Sequence, residues 1–91
     1  MAYQTIRFRA VDALGRNMQG TKMVSPPVFG QDPDEVAQVY AADVAETLYW
    51  MAEEGQESDP INEIQPEEMV WPLTVWMELE PGRPLHGPVT T

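Results

Sequence analysis

From Tyr3 to Val11 apolar and polar residues alternate with period two, setting Ile6, Phe8 and Ala10 on one side and Thr5, Arg7 and Arg9 on the other. This pattern predicts a strand buried on one face. Asp12 to Asn17 supplies Gly15 and Asn17, residues suited to positive φ, and Met18 to Val24 predicts a weaker return strand, so the pair reads as a hairpin. Ser25-Pro26-Pro27 ends it, because proline cannot donate to a ladder. The next signal is a helix start. Asp32 stands as N-cap with Pro33 at the first helical position, Asp34 and Glu35 fill the first turn, and Asp32 and Glu35 have capping-box spacing. Glu54-Gly55 supplies the exit, since glycine takes the left-handed cap freely. A helix is therefore expected from about Pro33 to Glu54.

At 100° per residue, Ala37, Tyr40, Ala41, Val44, Leu48 and Met51 fall along one stripe, the expected core face. Trp50 falls on the opposite side with Val39, Asp43, Glu46, Glu53 and Glu54. A large aromatic in a field of carboxylates on a solvent face is an unusual combination. It suits a partner-binding anchor selected by charge, and it also suits a side chain covered by the loop that follows Gly55. That loop, Gly55 to Pro72, carries Pro60, Pro66 and Pro72 with Ile61, Ile64, Met69, Val70 and Trp71 between them. Its length and apolar content predict a segment that packs down, with a short helical turn after Asp59 or Pro66. Leu73, Val75, Met77 and Leu79 then alternate against Thr74, Trp76, Glu78 and Glu80, predicting the third and strongest strand. Placed beside the first strand, Trp76, Glu78 and Glu80 would meet Arg7 and Arg9 through cation–π and ion-pair contacts. The same three residues form a second candidate partner-binding set.

The expected fold is α+β in the order ββαβ. A three-stranded antiparallel or mixed sheet would carry one long helix on one face, as a single domain over residues 1–80. The core would hold Ile6, Phe8, Tyr40, Val44, Leu48, Met51, Leu73, Val75, Met77 and Leu79. Residues 81–91, rich in proline and glycine, read as a flexible tail.

With 91 residues of which 43% are hydrophobic, the chain is long enough for one core and too apolar for a disordered segment. It has no cysteine, so disulfides, thiolate metal sites and a cysteine nucleophile are excluded. Its only histidine, His86, lies in the expected tail, its two serines are Ser25 and Ser58, and no phosphate loop or histidine metal motif occurs. Asp32, Asp34 and Glu35 lack the glycine and ligand spacing of a calcium loop, and helix capping accounts for them. No catalytic residues, metal or cofactor are assigned, and the chain is not expected to be an enzyme. No long apolar segment or basic-then-apolar leader is present, which leaves a cytoplasmic location as the expectation, that of a host cell if the chain is phage-encoded.

The net charge of −10 is unevenly spread. Residues 1–31 hold Arg7, Arg9, Arg16 and Lys22 against Asp12, whereas residues 32–80 hold 14 acids and no lysine or arginine. A block this acidic repels phosphate backbones and favours cationic surfaces over roughly 8 Å at physiological ionic strength. The expected partner is a basic protein or a protein–nucleic-acid complex, with direct nucleic-acid binding through the acidic surface disfavoured.

The stretch from Pro26 to Pro60, Pro-Pro-Val-Phe-Gly-Gln-Asp-Pro-Asp-Glu-Val through the helix to Glu-Glu-Gly-Gln-Glu-Ser-Asp-Pro, resembles the HicB antitoxin pattern. In that pattern a glycine and a capping Asp or Thr precede a helix that ends near a glycine and a proline. The family's Pro-Asp-Leu-Pro-Gly-like segment is absent. The resemblance implies a protein that sequesters a small basic RNA-cleaving toxin through its acidic surface. In composition the chain is also similar to small acidic phage-encoded inhibitors of the anti-CRISPR and DNA-mimic type. That likeness implies occupation of a basic nucleic-acid groove on a host defence complex, with carboxylates in place of phosphates. A phage structural or accessory protein is the third reading.

Overall fold

The computed structural model describes residues 2–28 and 30–91; Phe29, which falls within the HicB-like stretch, lies outside the described residues. The architecture is α+β, one long helix and an open four-stranded antiparallel sheet. The strands are β1 (Gln4–Val11), β2 (Asn17–Val24), β3 (Thr74–Met77) and β4 (His86–Thr90), in spatial order β2-β1-β3-β4, and the helix α1 spans Pro33–Glu54.

The β1–β2 hairpin pairs from Gln4 with Val24 to Val11 with Asn17, without a bulge. Alternation then does what the sequence pattern requires. Ile6, Phe8 and Ala10 are buried under α1, and Phe8 lies over the bare face of Gly20, its cross-strand partner, so closely that a Cβ there would push the ring aside. The turn departs from expectation at Asn17, which is not at positive φ; among the described residues only glycines are, here Gly15 at 80°. Asp12 organises the turn instead. Its buried carboxylate accepts from the amides of Leu14, Arg16 and Val70 and from the Arg16 guanidinium, tying the hairpin to the distant 66–72 segment.

The helix begins and ends where its caps place it. Asp32 Oδ1 accepts the Asp34 N–H at 2.8 Å, and the bond of the expected capping box from Glu35 is replaced by this shorter Asx-type cap. Gly55 at φ 69° closes the last turn as a Schellman motif, with its own N–H on Ala52 O and the Gln56 N–H on Met51 O. Val36, Ala37, Tyr40, Ala41, Val44 and Leu48 face the sheet and are buried, with Met51 and Leu79 packed at the margin. Tyr40 fixes the helix in place: its hydroxyl donates to Ser25 O and accepts from the Gln4 amide, which also donates to Leu79 O. The Gly55–Pro72 segment packs down in part, through Ile64, Pro66 and Met69 and a 3₁₀ turn over Pro66–Glu68, whereas Ile61, Val70 and Trp71 stay exposed.

The fourth strand corrects the expectation of three strands and of a tail over all of residues 81–91. His86–Thr90 pairs antiparallel with β3, and Thr91 exchanges both backbone bonds with Leu73. His86, assigned to the tail, places Nε2 3.1 Å from Asp34 Oδ1, so β4 is also held to the first turn of α1. The composition Pro-Leu-His-Gly-Pro suggests coil because no local signal marks a strand there. An edge strand tolerates Pro88 where its missing donor faces away from the ladder.

Candidate functional site

The exposed side of α1 carries the first candidate set. Val39, Trp50 and Tyr49 are each a little more than half exposed, at 52%, 55% and 53%, so the loop after Gly55 does not cover Trp50. The Tyr49 and Trp50 rings meet edge to face with centroids 6.3 Å apart. Tyr49 was not singled out from sequence, because it sits between the two helical stripes; its contact with Trp50 widens the aromatic patch. Along the same side of α1, Glu46, Glu53 and Glu54, exposed, lie about one turn from Trp50, and Asp43, half-buried, lies about two turns away. None of the four has a cationic partner within 4 Å among the described residues.

Two of these acids sit against the helix's own field. The carbonyl end of a helix carries a partial negative charge, and a carboxylate in the last turn is disfavoured by about 0.3–1 kcal/mol. The last turn of α1 has Glu53 and Glu54 and no basic residue. The free protein thus holds unneutralised charge beside its most exposed aromatic pair.

The second candidate set divides. Trp76 is half-buried with the Arg9 guanidinium 4.9 Å above its ring, and Arg9 Nε also donates to Asn17 Oδ1 at 2.8 Å. Glu78 is buried at 2% exposure, which removes it from any partner-binding surface. The alternation of β3 would turn it outward, but the strand ends at Met77, and the Glu78 carboxylate turns back onto β1 and the following loop. It accepts from the Arg7 amide, from the Gly82 amide at 2.8 Å and from the Arg7 guanidinium at 3.0 Å. The Arg7 amide, with the guanidinium and the Gly82 amide, holds Glu78 below the usual carboxylate range against the opposing effect of burial. Glu80 is exposed and pairs with Arg83 at 3.6 Å rather than with the β1 arginines.

The four arginines are thereby engaged within the chain: Arg7 by Glu78, Arg9 by Trp76 and Asn17, Arg16 by Asp12, Arg83 by Glu80. Burial pushes the Asp12 carboxyl up, but hydrogen bonds from the Arg16 side chain and the Arg16 and Val70 amides outweigh it and hold Asp12 well below its ordinary range. Among the described residues no group of three His, Cys, Asp or Glu side chains is placed to hold a metal ion, and no helix is long and apolar enough to cross a membrane. Comparison with protein-family models, curated proteins and solved structures finds no match. Among the described residues, exposed aromatic area and unpaired charge coincide on the outer side of α1.

Proposed function

We propose that this chain is a binding protein without catalytic activity, and that it docks the outer face of α1 onto a basic surface of another macromolecule. The surface that fits best is one on which a host defence complex holds nucleic acid. The chain then acts as a phage- or mobile-element-encoded inhibitor of the DNA-mimic, anti-CRISPR kind. The observation that carries this reading is Trp50, half exposed beside Tyr49 on the helix side that holds Asp43, Glu46, Glu53 and Glu54, none of which has a cationic partner within 4 Å among the described residues. Tryptophan supplies large apolar area at small entropic cost, which is why it recurs at the centres of interfaces. The carboxylates around it repel phosphate and attract the lysines and arginines that normally hold phosphate. The chain's own arginines are already engaged, and Lys22 lies on β2 with none of these four acids within 4 Å.

Charge and anchor should be separable by kinetics. Lysine at Asp43, Glu46 and Glu53 should slow association more than it speeds dissociation, whereas Trp50→Ala should mainly speed dissociation and weaken binding by about 2 kcal/mol or more. The test isolates the partner by pull-down from host lysate, then competes the complex with nucleic acid at two salt concentrations. Mutually exclusive binding, in a complex whose affinity falls as salt rises, supports the mimic. A partner that holds nucleic acid and this chain together, with an affinity indifferent to salt, refutes it.

A further inference from the structure

An antiparallel ladder turns the backbone groups of alternate residues toward the neighbour on one side and then the other. β2 is an edge strand. The outward groups of its first half are already taken by side chains of the 58–65 segment. Gln19 N–H donates to Asn62 Oδ1 and Asn62 Nδ2 donates to Gln19 O, both at 3.0 Å, so one amide makes the two bonds a neighbouring strand would make. The Glu63 carboxylate accepts the Asn17 N–H at 3.1 Å. The same alternation turns Thr21 and Met23 outward, and no described residue bonds their N–H or C=O groups. Met23 is 61% exposed. The edge is therefore capped over its first half and open over about 7 Å of its second.

Between the two open positions lies Lys22, half-buried, on the α1 side of the strand. It has no carboxylate within 4 Å, unlike Arg7, Arg16 and Arg83. Beside it, along the edge, a groove of about 850 Å³ is lined in part by Gly20, Thr47, Leu48, Met51 and Ile61. Phe8 also lines it, its ring lying over the bare Gly20, and Ile61 is 86% exposed.

Two β2 edges cannot use this site well on each other. Pairing Thr21 with Met23 of a second copy sets the two Lys22 side chains directly opposite, where like charges destabilise. We propose that the Thr21–Met23 edge receives an extended segment of a partner protein by strand addition, with an acidic residue opposite Lys22 and an apolar residue two positions away, opposite Gly20. Backbone groups of Thr21 and Met23 supply the attachment, and Lys22 and the Leu48–Met51–Ile61 groove read alternate side chains.

The test is an NMR titration of the whole chain with the capped peptide Thr-Glu-Thr-Val-Thr, followed by amide exchange. Shifts centred on Thr21, Lys22 and Met23, with the Thr21 and Met23 amides slowed in exchange, are expected. Lysine in place of the peptide's glutamate should weaken binding by up to about fivefold, and Lys22→Glu should reverse that preference. Thr21→Pro removes an outward donor while sparing the bonds to β1, and should abolish binding; the Lys22 charge swap stands independently of whether that variant folds. No shift at about 5 mM peptide, binding indifferent to the charge swap, or shifts centred on Trp50 would each overturn the proposal. So would a concentration-dependent dimer of the protein alone that protects the β2 amides.

Discussion

Gly87→Ala tests the feature of the fold that local sequence concealed, the attachment of β4. Gly87 sits at φ 147°, a region that residues with a side chain rarely occupy. A Cβ there would lie 2.8 Å from the Val75 carbonyl oxygen and 3.2 Å from Trp76 Cα and Cδ1. Two of those three atoms are backbone of the neighbouring strand and cannot turn aside. The strain is worth about 1–3 kcal/mol, and restricting the unfolded chain returns about 0.4–1 kcal/mol of it. A net loss of about 1–2 kcal/mol should lower Tm by about 4–16 °C in a domain of this size. Thermal unfolding by circular dichroism reads the magnitude, and amide exchange at Val75 and Thr91 reads the place, because β4 should loosen before the β1–β2 hairpin does. Gly20→Ala is the matched control: its Cβ meets only the Phe8 ring, at 3.0 Å, and a ring can shift where a backbone cannot. A Gly87→Ala protein with unchanged Tm and unchanged exchange at Val75 would refute the pairing of β4 with β3.

Acid should unfold the protein through Asp12 and Glu78. Both are held below their ordinary range when folded, so their stabilisation is present above the unfolded carboxylate values near pH 4 and is lost as pH falls toward the folded ones. Urea unfolding from pH 7 to pH 2.5 should show stability falling below about pH 4.5, and Asp12→Asn should be less stable at pH 7 with a shallower decline; an equally steep decline in that variant contradicts the assignment. Glu53→Lys places a cation at the negative end of α1 and should stabilise the free protein by about 0.3–1 kcal/mol while slowing association with the partner. A variant that gains stability and binds as well as the parent would place the interface elsewhere.

The parts of the fold legible in sequence are those whose causes lie close together in the chain. Asp32, Pro33 and Gly55 bound α1 to the residue, because a helix cap needs only its own turn. Trp50 was visible for the same reason, since helical period alone sets which face it takes. The hairpin pattern likewise placed Ile6, Phe8 and Ala10 in the core. What escaped depends on distant partners. Asp12 reads as one more turn residue until the Val70 amide, 58 positions away, is seen to donate to it. Glu78 reads as an outward strand residue until Arg7 and Gly82 close around its carboxylate. β4 has Val89 as its one inward apolar contact and is defined by pairing with β3, which composition cannot reveal. Arg9 and Trp76 show the intermediate case: strand alternation put them on the same face, and the antiparallel register made them opposite neighbours.

The segregation of charge along the chain acquires its meaning from these long-range contacts. A basic hairpin beside an acidic helix could have folded so that each neutralised the other, giving a surface of mixed sign. The chain instead satisfies Arg7, Arg16 and Arg83 with acids from the hairpin turn and from the end of β3 onward, and Arg9 with an aromatic ring. Among the described residues the acids of α1 have no lysine or arginine within 4 Å, and Asp34 meets only His86. Glu53 and Glu54 are left, in addition, where the helix field opposes them. Carboxylates flanking an exposed Trp50–Tyr49 pair keep an apolar patch soluble, and under the proposed docking they would in addition face cations. In the proposed binding mode a cationic partner would cover this face and relieve the helix end of its unfavourable charge, so that Glu53 and Glu54 would contribute more to the complex than to the free protein.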